Sequence, residues 1–204
     1  MFLKNAPDKV ASQIMILFAL IHRNMPALLL VFIAITLKMA GDVAFDSLCY
    51  DRPAIQEGQL WRLLSGHFVH LGWSHLGTNL AGLTLLWLLI GKWITAKATS
   101  LTIILSAIMI GLGLLIFNPE IIRYAGLSGI LHGIWLAGAL FGMRAGYWEA
   151  YALTILLVLK LIWEQSLGPL PTSVYLSGGS VAVDAHLYGA IAGLLATGLL
   201  RCKQ

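Results

Sequence analysis

The chain has 204 residues, 59% of them hydrophobic and only 11% charged, with a net charge of +4. Soluble domains carry roughly 25% charged residues, so an ordinary soluble fold is excluded. Several near-continuous apolar runs are long enough to cross a bilayer, which makes this an integral membrane protein. The small positive excess gives no reason to expect a nucleic-acid partner.

In chain order, Lys4 and Lys9 precede an apolar stretch, Val10 to Ile21. Its outline is that of a signal peptide, but His22-Arg23-Asn24 follow it and no small-residue cleavage site is present, so it is expected to be retained. It is short for a span and reads as an interfacial helix. Residues 1–24 are therefore taken as a cytoplasmic N-terminal segment and 25–204 as the membrane core. The core divides into six spans: about Met25–Ala40, Ser74–Ile90, Thr99–Phe117, Ala125–Met143, Trp148–Leu167 and Val183–Leu200. Pro26 is tolerated in the first turn of its helix, and Asn118-Pro119 stop the third span.

Charge orients these spans. Lys4, Lys9, Arg23, Lys92, Lys97, Arg144, Arg201 and Lys203 fall on one side, and most of the acids fall on the other. The positive-inside rule makes both termini cytoplasmic. The long connection Gly41 to Trp73 then lies on the non-cytoplasmic side, with Trp61, Phe68 and Trp73 suited to the interface. A second outer loop, Gly168 to Ser180, is rich in Gly, Pro and Ser and reads as mobile. Cys49 and Cys202 fall on opposite sides, so neither a disulfide nor a metal framework is implied. Lys160, inside the fifth span, is either functional or the partner of Glu164 one turn on, and the spacing favours the pair.

The polar residues carry the chemistry. Ser128 opens the fourth span within Gly126-Leu127-Ser128-Gly129, and His186 lies near the start of the sixth. Both spans begin on the outer side, so hydroxyl and imidazole should share one shallow depth, as a nucleophile and its base require. Packing is the plainer role for a lone Ser or His in a membrane helix. His75 and Asn79 share a face of the second span; they offer donors to an oxyanion or ordinary interhelical hydrogen bonds. His132 lies one turn deeper than Ser128 on the same face, where it either touches His186 or makes a separate structural contact. His67, His70 and His75 fit no zinc spacing. Ala185, Gly189 and Gly193 form a small-residue seam that permits close approach of another helix. No third carboxylate stands out; Asp184 is too near His186 in the chain to be assumed an orienting acid.

With these residues the chain resembles the rhomboid intramembrane serine proteases, and within them the rhombosortase subfamily. Gly126-Leu127-Ser128-Gly129 is similar to the family's nucleophile motif. His186 with Gly189 and Gly193 resembles its general base and helix seam, and His75 with Asn79 its oxyanion pair. Trp61-Arg62 and His70 resemble structural residues of its first outer loop. The runs "YDRPAIQEGQLWRLLSGHFVHLGWSHLGTNLAG" and "GLSGILHG" look like the subfamily's signature. One departure is His132, where many rhomboids carry a Tyr packed on the catalytic imidazole. The resemblance implies an all-α integral membrane fold, a six-transmembrane-helix rhomboid-like bundle. It implies a serine peptidase with catalytic Ser128 and His186, oxyanion donors His75 and Asn79, supporting Gly126, Gly129, His132, Trp61, Arg62 and His70, and neither cofactor nor metal. Its expected partners are the lipid bilayer and single-span, membrane-tethered substrates with a C-terminal Gly-Gly-type sorting tail. The expected location is the bacterial inner membrane, with the active site opening to the periplasmic side.

Overall fold

The computed structural model describes residues 6–200. Lys4, Arg201, Cys202 and Lys203, used above for charge and cysteine placement, lie outside those residues. The described part is helical: α1 (Ala6–Met39), α2 (Gly41–Leu48), α3 (Arg52–Gln56), α4 (Arg62–Ser65), α5 (Trp73–Ile90), α6 (Ala96–Phe117), α7 (Ser128–Arg144), α8 (Trp148–Leu167), α9 (Pro171–Ser177) and α10 (Val183–Leu199). Two short strands, β1 (Tyr50–Asp51) and β2 (Arg123–Tyr124), form one antiparallel bridge with Tyr50 opposite Tyr124.

Among the described residues, three helical stretches are long and apolar enough to cross a membrane: Ser12–Met39, Ala96–Phe117 and Trp148–Leu167. Val183–Leu199 is apolar but shorter. The segment expected as a separate interfacial helix runs into the first span as one helix, with Pro26 inside it. The fourth apolar run becomes helical at Ser128, three residues later than expected from its hydropathy. The Gly/Pro/Ser-rich loop contains a helix of its own, α9, opened by Pro171 in its first turn, where a missing N–H costs nothing.

The centre of the bundle is α6, α7 and α10, and α7 with α10 is the most extensive helix pair. The small-residue seam explains it. A Cβ on Gly189 or Gly193 would overlap the carbonyls of Gly129 and Gly133 respectively, and one on Gly129 would meet the Ala185 carbonyl at 2.8 Å. In the membrane, where apolar side chains gain little by leaving lipid, such close backbone approach is what holds helices together.

The connection 41–72 is folded rather than slack. Arg52 is 8% exposed, and its guanidinium donates to the carbonyls of Leu114, Leu115, Asn118 and Ile121 at 2.5–3.1 Å. These carbonyls lie at and just after the end of α6, where the last-turn acceptors run out of intrahelical donors. The β1–β2 bridge and a bond from the Gly126 N–H to the Gly66 carbonyl (3.1 Å) tie this connection to the turn before α7. The turn that presents Ser128 is thus clamped by chain lying some sixty residues earlier.

Candidate active site

Four helix termini converge at one end of the bundle. Ser128 is the first residue of α7, His186 lies in the first turn of α10, His75 in the first turn of α5, and Glu164 in the last turn of α8. The Ser128 Oγ is 3.0 Å from His186 Nε2. His186 is 4% exposed, so water reaches the pair from the adjoining cavity rather than from all sides.

The far nitrogen of the same ring, His186 Nδ1, lies 2.9 Å from Glu164 Oε2. The other carboxylate oxygen, Oε1, accepts from Lys160 Nζ at 2.5 Å. The pairing of Lys160 with Glu164 is therefore present as the spacing suggests, but Glu164 does more than neutralise it. This corrects the expectation that no acid stands behind His186. Asp184 is engaged elsewhere, accepting from Asn118 Nδ2 at 2.7 Å.

His132 is the ring partner of His186. The two imidazoles stack with centroids 4.0 Å apart and planes 14° from parallel. His132 Nδ1 bonds the Ser128 carbonyl at 2.7 Å, so that nitrogen carries the proton and its Nε2 is left without a partner. Of the two roles open from the sequence, both are present: contact with the His186 ring and a polar contact within α7.

His75 and Asn79 sit beside the Gly126 turn, with the Asn79 amide held by the His75 carbonyl at 3.1 Å. Gly126 has φ +118°, and a Cβ there would lie 2.7 Å from His75 Cε1 and Nε2 and 3.6 Å from Asn79 Nδ2. Only glycine fits the backbone and leaves room for the imidazole. The Gly126 carbonyl accepts from the Tyr124 hydroxyl at 3.0 Å. Together these place two side-chain donors next to the first-turn amides of α7, which have no intrahelical acceptor.

Trp61, Arg62 and His70 lie further out. Arg62 donates to Gln59 Oε1 and to the Asp46 and Cys49 carbonyls at 2.8–2.9 Å. Trp61 is half exposed and bonds the Ser47 carbonyl. Both pin α4 to the preceding chain. The His70 ring meets His75 edge-on at 5.0 Å. Burial, with His75 adding to it, pushes the His70 imidazole down to about 3. Burial likewise pushes His67 down to about 4, and its Nε2 serves the Leu63 and Ala107 carbonyls. His132, Glu164 and His186 are the one trio among the described residues whose ligand atoms lie within 4.8 Å of one another. Within this trio Glu164 Oε1 accepts from Lys160 and His186 Nε2 faces the Ser128 hydroxyl.

A cavity of about 1010 Å³ opens between α5, α7 and α8, with α9 across one end. Ser128, His132, His186, His75, Asn79 and Lys160 all line it. The rest of the lining is largely apolar.

Two signals were weaker in the sequence. Glu164 showed itself only as half of an i,i+4 charge pair inside an apolar run, and Arg52 only as one cation in a polar connection.

The arrangement defines a helical membrane protein with a serine–histidine contact at the mouth of an internal cavity. A family model, the Rhomboid domain, matches residues 57–203, well over half of the chain. The chain belongs to the rhomboid family, a family of intramembrane serine proteases. A search of curated proteins returns no match.

Proposed function

We propose that this chain is an intramembrane serine endopeptidase of the rhombosortase type, cleaving Gly-Gly-type C-terminal sorting tails from membrane-tethered exported proteins. The observation that carries the reading is the 3.0 Å approach of Ser128 Oγ to His186 Nε2 at the edge of the cavity. Ser128 attacks the scissile carbonyl while His186 takes its proton and later passes it to the leaving amine. The oxyanion that forms is met by the Ser128 amide, His75 and Asn79. The first-turn position of Ser128 adds the positive end of α7 to that stabilisation.

The tail-bearing substrate suits the site's form. A glycine-rich motif presents little side-chain bulk to the narrow space beside Gly126, and its following transmembrane helix suits an apolar cavity among α5, α7 and α8. In this reading six helices span the bacterial inner membrane, both termini are cytoplasmic, and the Ser128 end faces the periplasm. The helix α9 closes over the cavity and governs substrate entry.

The test is co-expression with candidate tail-bearing proteins, followed by mass spectrometry of their mature C-termini. Processing by the wild-type chain and its loss in Ser128→Ala is the expected result. Continued cleavage by Ser128→Ala, in membranes where that variant accumulates normally, overturns the assignment.

A further inference from the structure

The least expected group in this bundle is a carboxylate. Glu164 lies in an apolar helix, and its side chain is wholly buried. An ionised carboxylate there is expensive and needs a partner for each oxygen. Lys160 accounts for Oε1. Were the pair simply a self-satisfied charge couple, the second oxygen could turn to any donor. It instead meets His186 Nδ1 at 2.9 Å, on a different helix and on the side of the ring away from Ser128.

The donor inventory then fixes every proton in the row. An ionised carboxylate only accepts and an ammonium only donates. Lys160 therefore donates to Oε1, and His186 Nδ1–H donates to Oε2. With its proton on Nδ1, the neutral ring presents Nε2 as an acceptor, facing the Ser128 hydroxyl at 3.0 Å. That is the tautomer a general base must hold. The stacked ring of His132 fixes the plane of the imidazole, while Glu164 fixes its rotation within that plane.

We propose that Glu164 is a positioning residue that completes a Ser128–His186–Glu164 triad inside the membrane, with Lys160 as its counter-cation. The inference rests on the proteolytic reading above. In the acylation step the Ser128 proton moves to Nε2 as the Oγ–carbon bond forms, and it leaves with the departing amine. Glu164 stays ionised throughout and faces the imidazolium while it exists. Lys160 keeps the carboxylate charged between turnovers, when the ring opposite is neutral.

The experiment uses the full chain, purified in detergent, with a fluorophosphonate probe and a single-span peptide substrate. Glu164→Gln keeps the volume but allows an amide N–H to face Nδ1 and reverse the tautomer. Replacing a triad acid by its amide in soluble proteases costs about ten-thousandfold in turnover. Here the expected loss in kcat is roughly a hundredfold or more, with KM changed less than about threefold and probe labelling of Ser128 slowed in step. Glu164→Asp is expected to recover at least about a tenth of the lost rate, because it restores the acceptor. If Glu164→Gln fails to accumulate, Lys160→Met with Glu164→Gln removes the stranded ammonium, and the same loss is expected from the folded double variant. Unchanged labelling and turnover in either folded variant overturns the triad while leaving the protease reading intact. Absence of Ser128 labelling in the wild-type chain overturns both.

Discussion

The His75 imidazole lies so close to Gly126 that a Cβ on that glycine would sit 2.7 Å from both Cε1 and Nε2. The side of the candidate site that holds His75 is thus built on the absence of a side chain. Gly126→Ala has two consequences. It forces a non-glycine residue to φ +118°, at a strain of about 1–3 kcal/mol, and it displaces His75. Turnover is expected to fall by about a hundredfold to a thousandfold, the effect of losing one oxyanion donor. Steady-state cleavage assays alongside thermal unfolding would separate the two effects; wild-type turnover in the variant would show that His75 has no part in stabilising the oxyanion.

The seam between α7 and α10 makes a second prediction. Gly189→Ala puts a methyl on the Gly129 carbonyl, and the helices must part. Overpacking of this kind costs about 1–3 kcal/mol, and the parting lengthens the Ser128–His186 bond. Probe labelling of Ser128 should slow together with a lower melting temperature. Gly198 is the control, since a Cβ there meets nothing within 4 Å. Gly198→Ala should be neutral or stabilising by up to about 1 kcal/mol from helix propensity.

Acid stability gives a third. His70 and His67 are held neutral in the fold, at about 3 and about 4, whereas an unfolded imidazole takes a proton near about 6.5. The unfolded chain therefore binds more protons between these limits, and stability falls as pH drops from about 6.5 toward about 4. Each group contributes a slope of up to about 1.36 kcal/mol per pH unit. His70→Phe removes one of them while keeping a ring of similar size in the buried site. The variant's melting temperature should decline less steeply with acidification than the wild type's, and parallel curves would refute this account.

The parts that could be read from sequence are those that repeat along one helix. Apolar runs gave the main helices, the four-residue rhythm of Ala185, Gly189 and Gly193 gave the α7–α10 contact, and helix starts at one level brought Ser128 toward His186. His75 and Asn79 followed from a shared face. Glu164 did not follow, because its role depends on how α8 is rotated about its own axis and against α10, and a charge pair at i,i+4 is satisfied without reference to either. Arg52 was missed for a related reason: its partners are backbone carbonyls at and just after the end of α6, which have no sequence signature. The short helix inside the segment after Gly168 was not legible because Pro and Ser suit a loop as well as a helix start, and only the residues that follow Pro171 distinguish them.

The bridge between Tyr50 and Tyr124 joins parts of the chain that are synthesised far apart. Until β2 has emerged, β1 has nothing to pair with, and the Gly126 turn has no Gly66 carbonyl to hang from unless the earlier connection is already shaped. Long-range pairings of this sort close after local helices have formed. The turn that carries Ser128 is therefore among the last parts of the nascent protein to take its final shape.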